Sequence, residues 1–282
     1  MLAYLDLAKP RVVSMILVTT LVGFHLASRG AMDYWLLLHT LASTAIAAAG
    51  TLALNQYLER DLDAVMLRTR WRPLPSGRVA PGEALLLGNL LAAVGIAYQT
   101  LAAGALPALV TAATTASYLF LYTPMKRRTP LCSLVGAVSG GLPPVTGWAA
   151  ASGGLGVGAW VLFSILFLWQ IPHSLAIAHL YRDDYARAGI RLLPVIEPDG
   201  GSTARQIVIN SLALLSVALL PTIVRVSGAL YFFTALALGL MLLGCSLRLA
   251  RTRDLADARR LLFASLVYLP TLLAVMAIDK LG

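Results

Sequence analysis

Three side chains with oxygen atoms are spaced four residues apart near the end of the second apolar stretch of the sequence. They are Asn55, Glu59 and Asp63, and residues four apart lie on one face of a helix. Two carboxylates and an amide oxygen are hard ligands. Mg²⁺ accepts one or two carboxylates and completes its shell with waters and substrate phosphates. We therefore predict a magnesium site at these three residues.

A group of basic residues follows this predicted metal site. Arg68 and Arg72 come within nine residues of Asp63, and Lys126 and Arg127 belong to a second polar segment. Arg binds phosphate through a bidentate fork, and Lys binds it as a point charge. Acidic residues next to basic residues suit a polyanionic ligand that carries a metal ion, because the acids bind the metal and the bases bind the anion. We predict that the four basic residues bind a diphosphate; the alternative is that they only fix the orientation in the membrane.

A second acidic pair, Asp183 and Asp184, follows the sixth apolar stretch. If the two halves of the chain pack face to face, this pair meets the first acidic group around one diphosphate. A metal there neutralises charge and helps the diphosphate to leave. We predict both aspartates as metal ligands, and Asp184 as catalytic together with Asn55, Glu59 and Asp63. The alternative for each acidic group is a helix end with local ion pairs.

One histidine, His173, lies deep in the sixth apolar stretch, within the segment WQIPHSLAIAH. Pro172, directly before it, is expected to kink the helix. One interpretation is a hydrogen bond between helices, which polar side chains commonly form in membranes. The other is contact with a planar, cofactor-like substrate, or ligation of it. The residues favour both interpretations equally.

The composition places these residues in a membrane protein. The chain has 282 residues, of which 59% are hydrophobic and 12% charged, with a mean hydropathy of +0.78; soluble domains have about 25% charged residues. A membrane span needs roughly 20 apolar residues. Stretches of that length cover residues 11–28, 35–57, 83–103, 106–122, 131–151, 157–180, 205–226, 229–250 and 260–279. We predict an all-α, polytopic membrane protein with nine transmembrane helices and a single domain over residues 1–282.

The basic residues also predict an orientation. Of the 22 Lys and Arg residues, 19 fall at the N-terminus or in alternate connecting segments, and only Arg29, Arg225 and Lys280 fall on the other side. Positive residues mark the cytoplasmic face, so we predict a cytoplasmic N-terminus and a cytoplasmic site. Contact with anionic membrane lipid explains the formal charge of +9, and no nucleic-acid partner is expected. Since no organelle-targeting extension precedes the first stretch, we expect the plasma membrane of a prokaryote.

Five segments together resemble the haem branch of the intramembrane (UbiA-type) prenyltransferase superfamily. They are NQYLERDLDAVMLRTRWRPLPSG, YTPMKRRTP, GGLPPVTGW, WQIPHSLAIA and YRDDYARAGIRLLPV. The superfamily's motif Asn-x3-Asp-x3-Asp falls on Asn55, Glu59 and Asp63, with Glu in place of the first Asp. Its second acidic motif is reduced to Asp183 and Asp184. The resemblance implies nine helices around a central cavity, with cytoplasmic loops that cap the diphosphate.

The resemblance also implies a reaction, in which a farnesyl group passes from farnesyl diphosphate to the 2-vinyl group of haem B. Mg²⁺ is the implied cofactor, water is added to give haem O, and His173 is the candidate haem-binding residue. Contact with a haem A synthase or with terminal oxidase assembly follows as a partner expectation. Two alternatives are a prenyltransferase for another aromatic or quinone precursor, and a transporter. A transporter would place ionisable residues near the bilayer midplane, whereas nearly all of them lie at one face here.

Overall fold

The computed structural model describes residues 2–197 and 199–281, and it is helical almost throughout. No strand occurs within these residues. The α-helices are α1 (Leu2–Ala8), α2 (Pro10–Ala27), α3 (Tyr34–Val65), α4 (Pro81–Ala103), α5 (Ala105–Ala116), α6 (Thr123–Met125), α7 (Cys132–Gly141), α8 (Pro143–Ser152), α9 (Val157–Leu180), α10 (Arg182–Arg187), α11 (Leu193–Ile196), α12 (Gly201–Val217), α13 (Leu220–Ile223), α14 (Ala229–Thr252) and α15 (Leu255–Ile278). A π-helical turn (Ser117–Tyr122) joins α5 to α6.

Eight helical segments in the described residues are long and apolar enough to cross a membrane. Six are the single helices α2, α3, α4, α9, α14 and α15, and two are the composite segments Ala105–Met125 and Gly201–Ile223. The predicted all-α, multi-pass membrane protein is thereby confirmed.

The predicted span at 131–151 differs from the others because it is broken. It forms α7 and α8, which have ten residues each and meet at Leu142. Pro143 and Pro144 have no amide hydrogen, so they cannot continue the hydrogen bonds of α7. The count of nine spans and the cytoplasmic N-terminus stay predictions.

Small residues let the helices of the N-terminal half approach each other closely. A Cβ atom added at Gly50 of α3 would overlap with the backbone of Ala92 in α4, and one added at Gly95 of α4 would overlap with Ala47. Gly147 brings α8 equally close to the backbone of α2. In a membrane no hydrophobic effect drives helices together, and close backbone packing supplies the attraction instead.

The helices enclose a cavity of about 470 Å³. One side is formed by α9 and α15, whose residues Leu166 and Leu269 line the cavity. Both helices belong to the largest core cluster, which also joins α12 and α14. The other side is formed by α2, α3, α5, the π-helical turn, α7 and α8, all of which contribute lining residues. The central cavity that the resemblance implies is therefore present.

Candidate active site

The three residues of the predicted metal site are buried on one face of α3. Asn55 is 1% exposed, Glu59 6% and Asp63 0%, and they occupy the last three turns of a helix that continues to Val65. Asp61, which lies off this face, has a side chain that is 87% exposed. The predicted alignment is therefore observed, and the group is buried rather than lying at a solvated helix end.

A basic side chain from a different part of the chain contacts each of these three residues. The contacts are Lys9 Nζ to Asn55 Oδ1 at 3.1 Å, Lys126 Nζ to Glu59 Oε1 at 2.5 Å, and Arg72 Nη1 to both carboxylate oxygens of Asp63 at 2.7 Å. We call these six residues the charged cluster. Buried charges are costly unless they are paired, and here three basic groups face two carboxylates. The surplus of basic groups suits an anionic ligand.

Lys9 is the member of the charged cluster that our sequence analysis missed. It lies between α1 and α2 in the left-handed backbone conformation, with φ of 49°, directly before Pro10. Burial, followed by the positive charge of Arg72, lowers the pKa of Lys9 to about 7. The available signal was a basic residue immediately before the proline that begins the first span, a usual helix start.

The π-helical turn positions Lys126. Such turns occur frequently at functional sites, and here the turn leads directly into α6 and the polar segment that follows it. The ring centre of Tyr122 lies 4.4 Å from Lys126 Nζ, which is a cation–π contact. Asn55 Nδ2 donates a hydrogen bond to Thr123 Oγ1 at 3.2 Å. The turn thus fixes Lys126 beside Glu59 and ties the same segment to α3.

Asp184 is buried and holds the loop that carries the arginines. Its carboxylate accepts hydrogen bonds from the backbone N–H groups of Leu67, at 3.1 Å, and Arg68, at 3.3 Å, and it forms an ion pair with Arg187. Burial acts to raise the pKa of Asp184, but the two amide hydrogen bonds and the Arg187 guanidinium outweigh it and hold the pKa below its ordinary value. Asp184 therefore joins α10 to the loop at 66–80, which also carries Arg72.

Two predicted site residues, Asp183 and Arg127, have exposed side chains that make no contact with the charged cluster among the described residues. The Asp183 side chain is 86% exposed, and Arg182 lies 3.6 Å from it. Arg127 is exposed, and no ion pair of its side chain occurs among the described residues. The structure thus brings Asp184 inward and leaves the adjacent Asp183 at the surface.

Arg68 lies at the rim of the charged cluster. Its Nη2 atom donates a hydrogen bond to the hydroxyl of Tyr185 at 3.2 Å, and its guanidinium carbon lies 5.0 Å from the ring centre of Tyr181. Together with Lys9 and Arg72 it lines a smaller pocket of about 310 Å³. Arg68, Arg72 and Lys9 therefore form one basic surface.

The apolar cavity ends at the charged cluster. Ala48 and Thr51 line the cavity from α3, and Asn55 follows on the same helix face. Tyr122 of the π-helical turn lines the cavity, and its ring contacts Lys126 of the charged cluster. The volume falls within the range of about 300–1,000 Å³ that is usual for small-molecule sites. This arrangement suits a ligand with a long apolar tail and an anionic head.

His173 lines the same cavity from α9. Its Nδ1 atom lies 2.8 Å from Ser265 Oγ of α15, and its ring stacks on Trp169 with the ring centres 4.6 Å apart. The hydrogen bond between helices, our first interpretation, is present. The ring also borders the cavity, which the second interpretation requires.

A profile of the UbiA prenyltransferase family matches residues 16–267. The chain belongs to the UbiA prenyltransferase family. The protoheme IX farnesyltransferase of Solibacter usitatus (strain Ellin6076) is 48% identical to the chain over 289 residues, with 99% of each sequence covered. The protein of the same name from Aquifex aeolicus (strain VF5) is 39% identical, with 98% of this chain and 94% of that one covered.

Solved structures of UbiA proteins share the fold. A structure of digeranylgeranylglyceryl phosphate synthase superposes with a TM-score of 0.84 at 15% identity, covering 98% of this chain and 97% of that one. A UbiA homolog from Archaeoglobus fulgidus, bound to GPP and Mg²⁺, superposes with a TM-score of 0.69 at 16% identity, covering 98% and 99%. These similarities show the fold alone. Together with the family match, they confirm the predicted UbiA-type fold and favour a prenyltransferase over a transporter.

The donor atoms of this UbiA family member fit a Mg²⁺ ion that is shared with a diphosphate. Asn55, Glu59 and Asp63 offer two carboxylates and an amide oxygen on one buried face. Within residues 2–197 and 199–281, no group of three His, Cys, Asp or Glu side chains is placed to hold a metal ion. Mg²⁺ is usually bound by one or two carboxylates and substrate phosphates rather than by a cage of protein ligands, so a bound diphosphate would supply the ligands that the three residues do not.

Proposed function

We propose that the protein is a protoheme IX farnesyltransferase, which transfers the farnesyl group of farnesyl diphosphate to the 2-vinyl group of haem B and adds water to give haem O. The observation that carries this proposal is a charged cluster with surplus basic groups at the end of an apolar cavity. Curated relatives that carry this enzyme name are 39–48% identical over nearly the whole chain, which supports the choice of substrates.

The charged cluster binds the diphosphate in this proposal. When bound by Asn55, Glu59 and Asp63 together with the diphosphate, Mg²⁺ neutralises charge on the leaving group. Lys126 and Arg72 are paired with the carboxylates before the substrate arrives, so their side chains are already ordered. The diphosphate then offers both basic groups a second anion within reach of their long side chains.

Arg68 belongs to the basic surface that it forms with Lys9 and Arg72. It lies in the loop at 66–80, which covers the diphosphate in this proposal. Arg127, which is exposed, and Asp183 are assigned weaker roles, as a contact to the diphosphate and as an outer metal ligand.

The cavity binds the apolar part of the reaction in this proposal. The farnesyl chain lies among the apolar side chains that line it, where exclusion of bulk water protects the allylic cation from hydrolysis. The vinyl group of haem supplies the electrons for the new bond, so the protein needs no nucleophile of its own. His173 and the stacked ring of Trp169 bind the edge of the haem macrocycle.

We place this reaction at the cytoplasmic face of the plasma membrane of a prokaryote. The distribution of Lys and Arg residues supports that orientation. In this proposal haem O, an apolar product, is released inside the membrane and passes directly to the membrane protein that uses it. This step motivates the proposed contact with a haem A synthase or with terminal oxidase assembly.

Mass spectrometry of the reaction products tests the proposed function. The purified protein in detergent is incubated with haem B, farnesyl diphosphate and Mg²⁺, with and without a chelator. We expect a product with the mass of haem B plus a farnesyl group and a hydroxyl group, and its loss when metal is removed. Farnesylation of 4-hydroxybenzoate instead would replace haem as the substrate and keep the fold and the site.

A matched pair of variants tests the metal site in the same assay. Asp63→Asn removes a buried ligand, whereas Asp61→Asn removes a carboxylate two residues away that is exposed. We expect near-complete loss of turnover for Asp63→Asn and wild-type turnover for Asp61→Asn. Near-normal activity of Asp63→Asn would exclude the metal assignment.

A further inference from the structure

The wall of the cavity carries a polar side chain that the proposed function does not use. Gln170 lies one turn before His173 on α9 and lines the cavity. Its amide oxygen rests against Gly140 of α7, since a Cβ atom added there would overlap with Oε1. Ser164 and Ser174, on the same helix, have hydrogen-bond partners, whereas the Gln170 side chain has none among the described residues.

The break between α7 and α8 adds further polar groups next to Gln170. Pro143 and Pro144 have no N–H group, so the carbonyl oxygens of Ser139 and Gly140 have no amide donor four residues later. Ser139 and Gly140 both line the cavity. Leaving amide and carbonyl groups without hydrogen bonds in apolar surroundings is costly. This part of the wall is therefore suited to a small polar molecule.

The hydrogen bonds of Ser265 determine the tautomer of His173. The Ser265 hydroxyl donates its hydrogen to the carbonyl oxygen of Leu262 at 2.7 Å, so its oxygen accepts a hydrogen bond from Nδ1–H of His173 at 2.8 Å. With the proton on Nδ1, the Nε2 atom of a neutral imidazole carries the lone pair. Nε2 has no partner among the described residues and is available to accept a proton.

We propose that Gln170 and His173 hold the water molecule that is added to haem, with Gln170 as its hydrogen-bond partner and His173 Nε2 as its base. The two side chains are three residues apart on α9, so they face the same region of the cavity. This inference rests on the proposed function and deepens it. It assigns His173 to the vinyl edge of the macrocycle rather than to the iron.

The atoms and electrons of the reaction balance with water as co-reactant. The C–O bond of farnesyl diphosphate breaks and its electron pair leaves with the diphosphate. The outer carbon of the vinyl π bond then forms a bond to C1 of the farnesyl group, which leaves a positive charge on the inner vinyl carbon. The water oxygen donates a lone pair to that carbon, and one of its protons passes to Nε2 of His173. No oxidant or reductant is required.

Gln170 lies deeper in the cavity than the end of α9 that meets the polar loops. Leu180, at which α9 ends beside α10, follows Gln170 by ten positions, so about 15 Å of helix separates them. Asp184 of α10 contacts the loop that carries Arg68 and Arg72. In this proposal the vinyl group lies between the departing diphosphate and the water, so the allylic cation meets the vinyl group first and the water then attacks the adjacent inner carbon.

The ratio of two products tests this proposal. A cation that does not capture water loses a proton, so the farnesylated product lacks the elements of water and is distinguished by mass. For Gln170→Leu and His173→Asn we expect this ratio to shift about tenfold towards the dehydrated product, the scale of one lost hydrogen bond to the reacting group. For Ser174→Ala, whose hydroxyl bonds to its own helix, we expect the wild-type ratio.

A second variant guards against loss of folding. Gly140→Ala keeps Gln170 but displaces its amide, because the added Cβ atom would overlap with Oε1. If Gln170→Leu is inactive and releases no diphosphate, the product ratio of Gly140→Ala tests the proposal instead. A wild-type ratio in both Gln170→Leu and Gly140→Ala would overturn the inference. If the wild-type protein forms no farnesylated haem, the proposed function itself fails. If it forms this product and the variants keep the wild-type ratio, only the inference fails, so the two failures are distinguishable.

Discussion

The Nζ atom of Lys9 lies 3.1 Å from Oδ1 of Asn55, so the N-terminal helices contact the end of α3 directly. The two residues are 46 positions apart in the sequence. Lys9 is part of the charged cluster only because α1 packs beside α3, and it brings a third basic group to two carboxylates. The position at which α2 begins is therefore part of the site.

Replacement of Lys9 tests this contribution. In Lys9→Met the amino group, which an anionic ligand would hold in its charged form, is lost. We therefore expect weaker binding of farnesyl diphosphate, by about tenfold or more, because hydrogen bonds to charged groups contribute about 1.5–3 kcal/mol. The measurement is KM for farnesyl diphosphate. Arg11→Met, two residues away and exposed, is the control, and an equal effect of both variants would mean that only overall charge matters.

The ion pair of Lys126 and Glu59 allows stability to be separated from activity. Both side chains are largely buried, at 15% and 8% exposure, and removing one partner of a buried pair costs about 3–5 kcal/mol because the other charge is left uncompensated. We expect Lys126→Met to lower the thermal unfolding temperature clearly more than Arg128→Met, which changes an exposed residue.

The double variant Lys126→Met/Glu59→Gln sharpens this test. It leaves no unpaired charge, so we expect it to recover most of the lost stability while turnover stays near zero. Thermal unfolding and product formation are measured on the same preparation. Recovery of turnover together with stability would show that the pair is structural only.

The contact of Asp184 with Leu67 and Arg68 predicts a role in loop order. Asp184→Asn weakens two amide hydrogen bonds and an ion pair, so we expect faster tryptic cleavage after Arg68 and Arg70 in the loop; the bond after Arg72 is resistant because Pro73 follows it. Asp183→Asn changes an exposed residue one position away, and trypsin should cleave this variant at the wild-type rate. A higher Mg²⁺ requirement in Asp183→Asn would instead support the predicted role of Asp183 as a metal ligand.

Close packing of α3 on α4 predicts that Gly50 tolerates no side chain. A Cβ atom there would overlap with the backbone of Ala92 and approach Gly88, and backbone atoms cannot move aside cheaply. We expect Gly50→Ala to lower the unfolding temperature and the yield of folded protein. Gly82→Ala, in the first turn of α4 with no atom within 4 Å of an added Cβ, should have little effect; equal stability of both variants would contradict the packing.

Several features of the protein follow from the sequence alone. Asn55, Glu59 and Asp63 share a face of α3 because the helical repeat brings residues four apart together, whatever the helix packs against. The all-α architecture follows because a membrane requires every backbone group to be bonded within helices or closed barrels. The basic groups near the membrane surface follow from composition in the same way.

The tertiary structure decided which of these groups meet. Nothing local distinguishes the buried Asp184 from the exposed Asp183, and 117 residues separate Asp184 from its partner Leu67. Lys9 and Gln170 acquired their positions in the same way, through α1 beside α3 and through a glycine of α7 beside α9. Helical periodicity and hydropathy act over a few residues, whereas these contacts depend on how whole helices pack, which is set by shape and small residues along their full length.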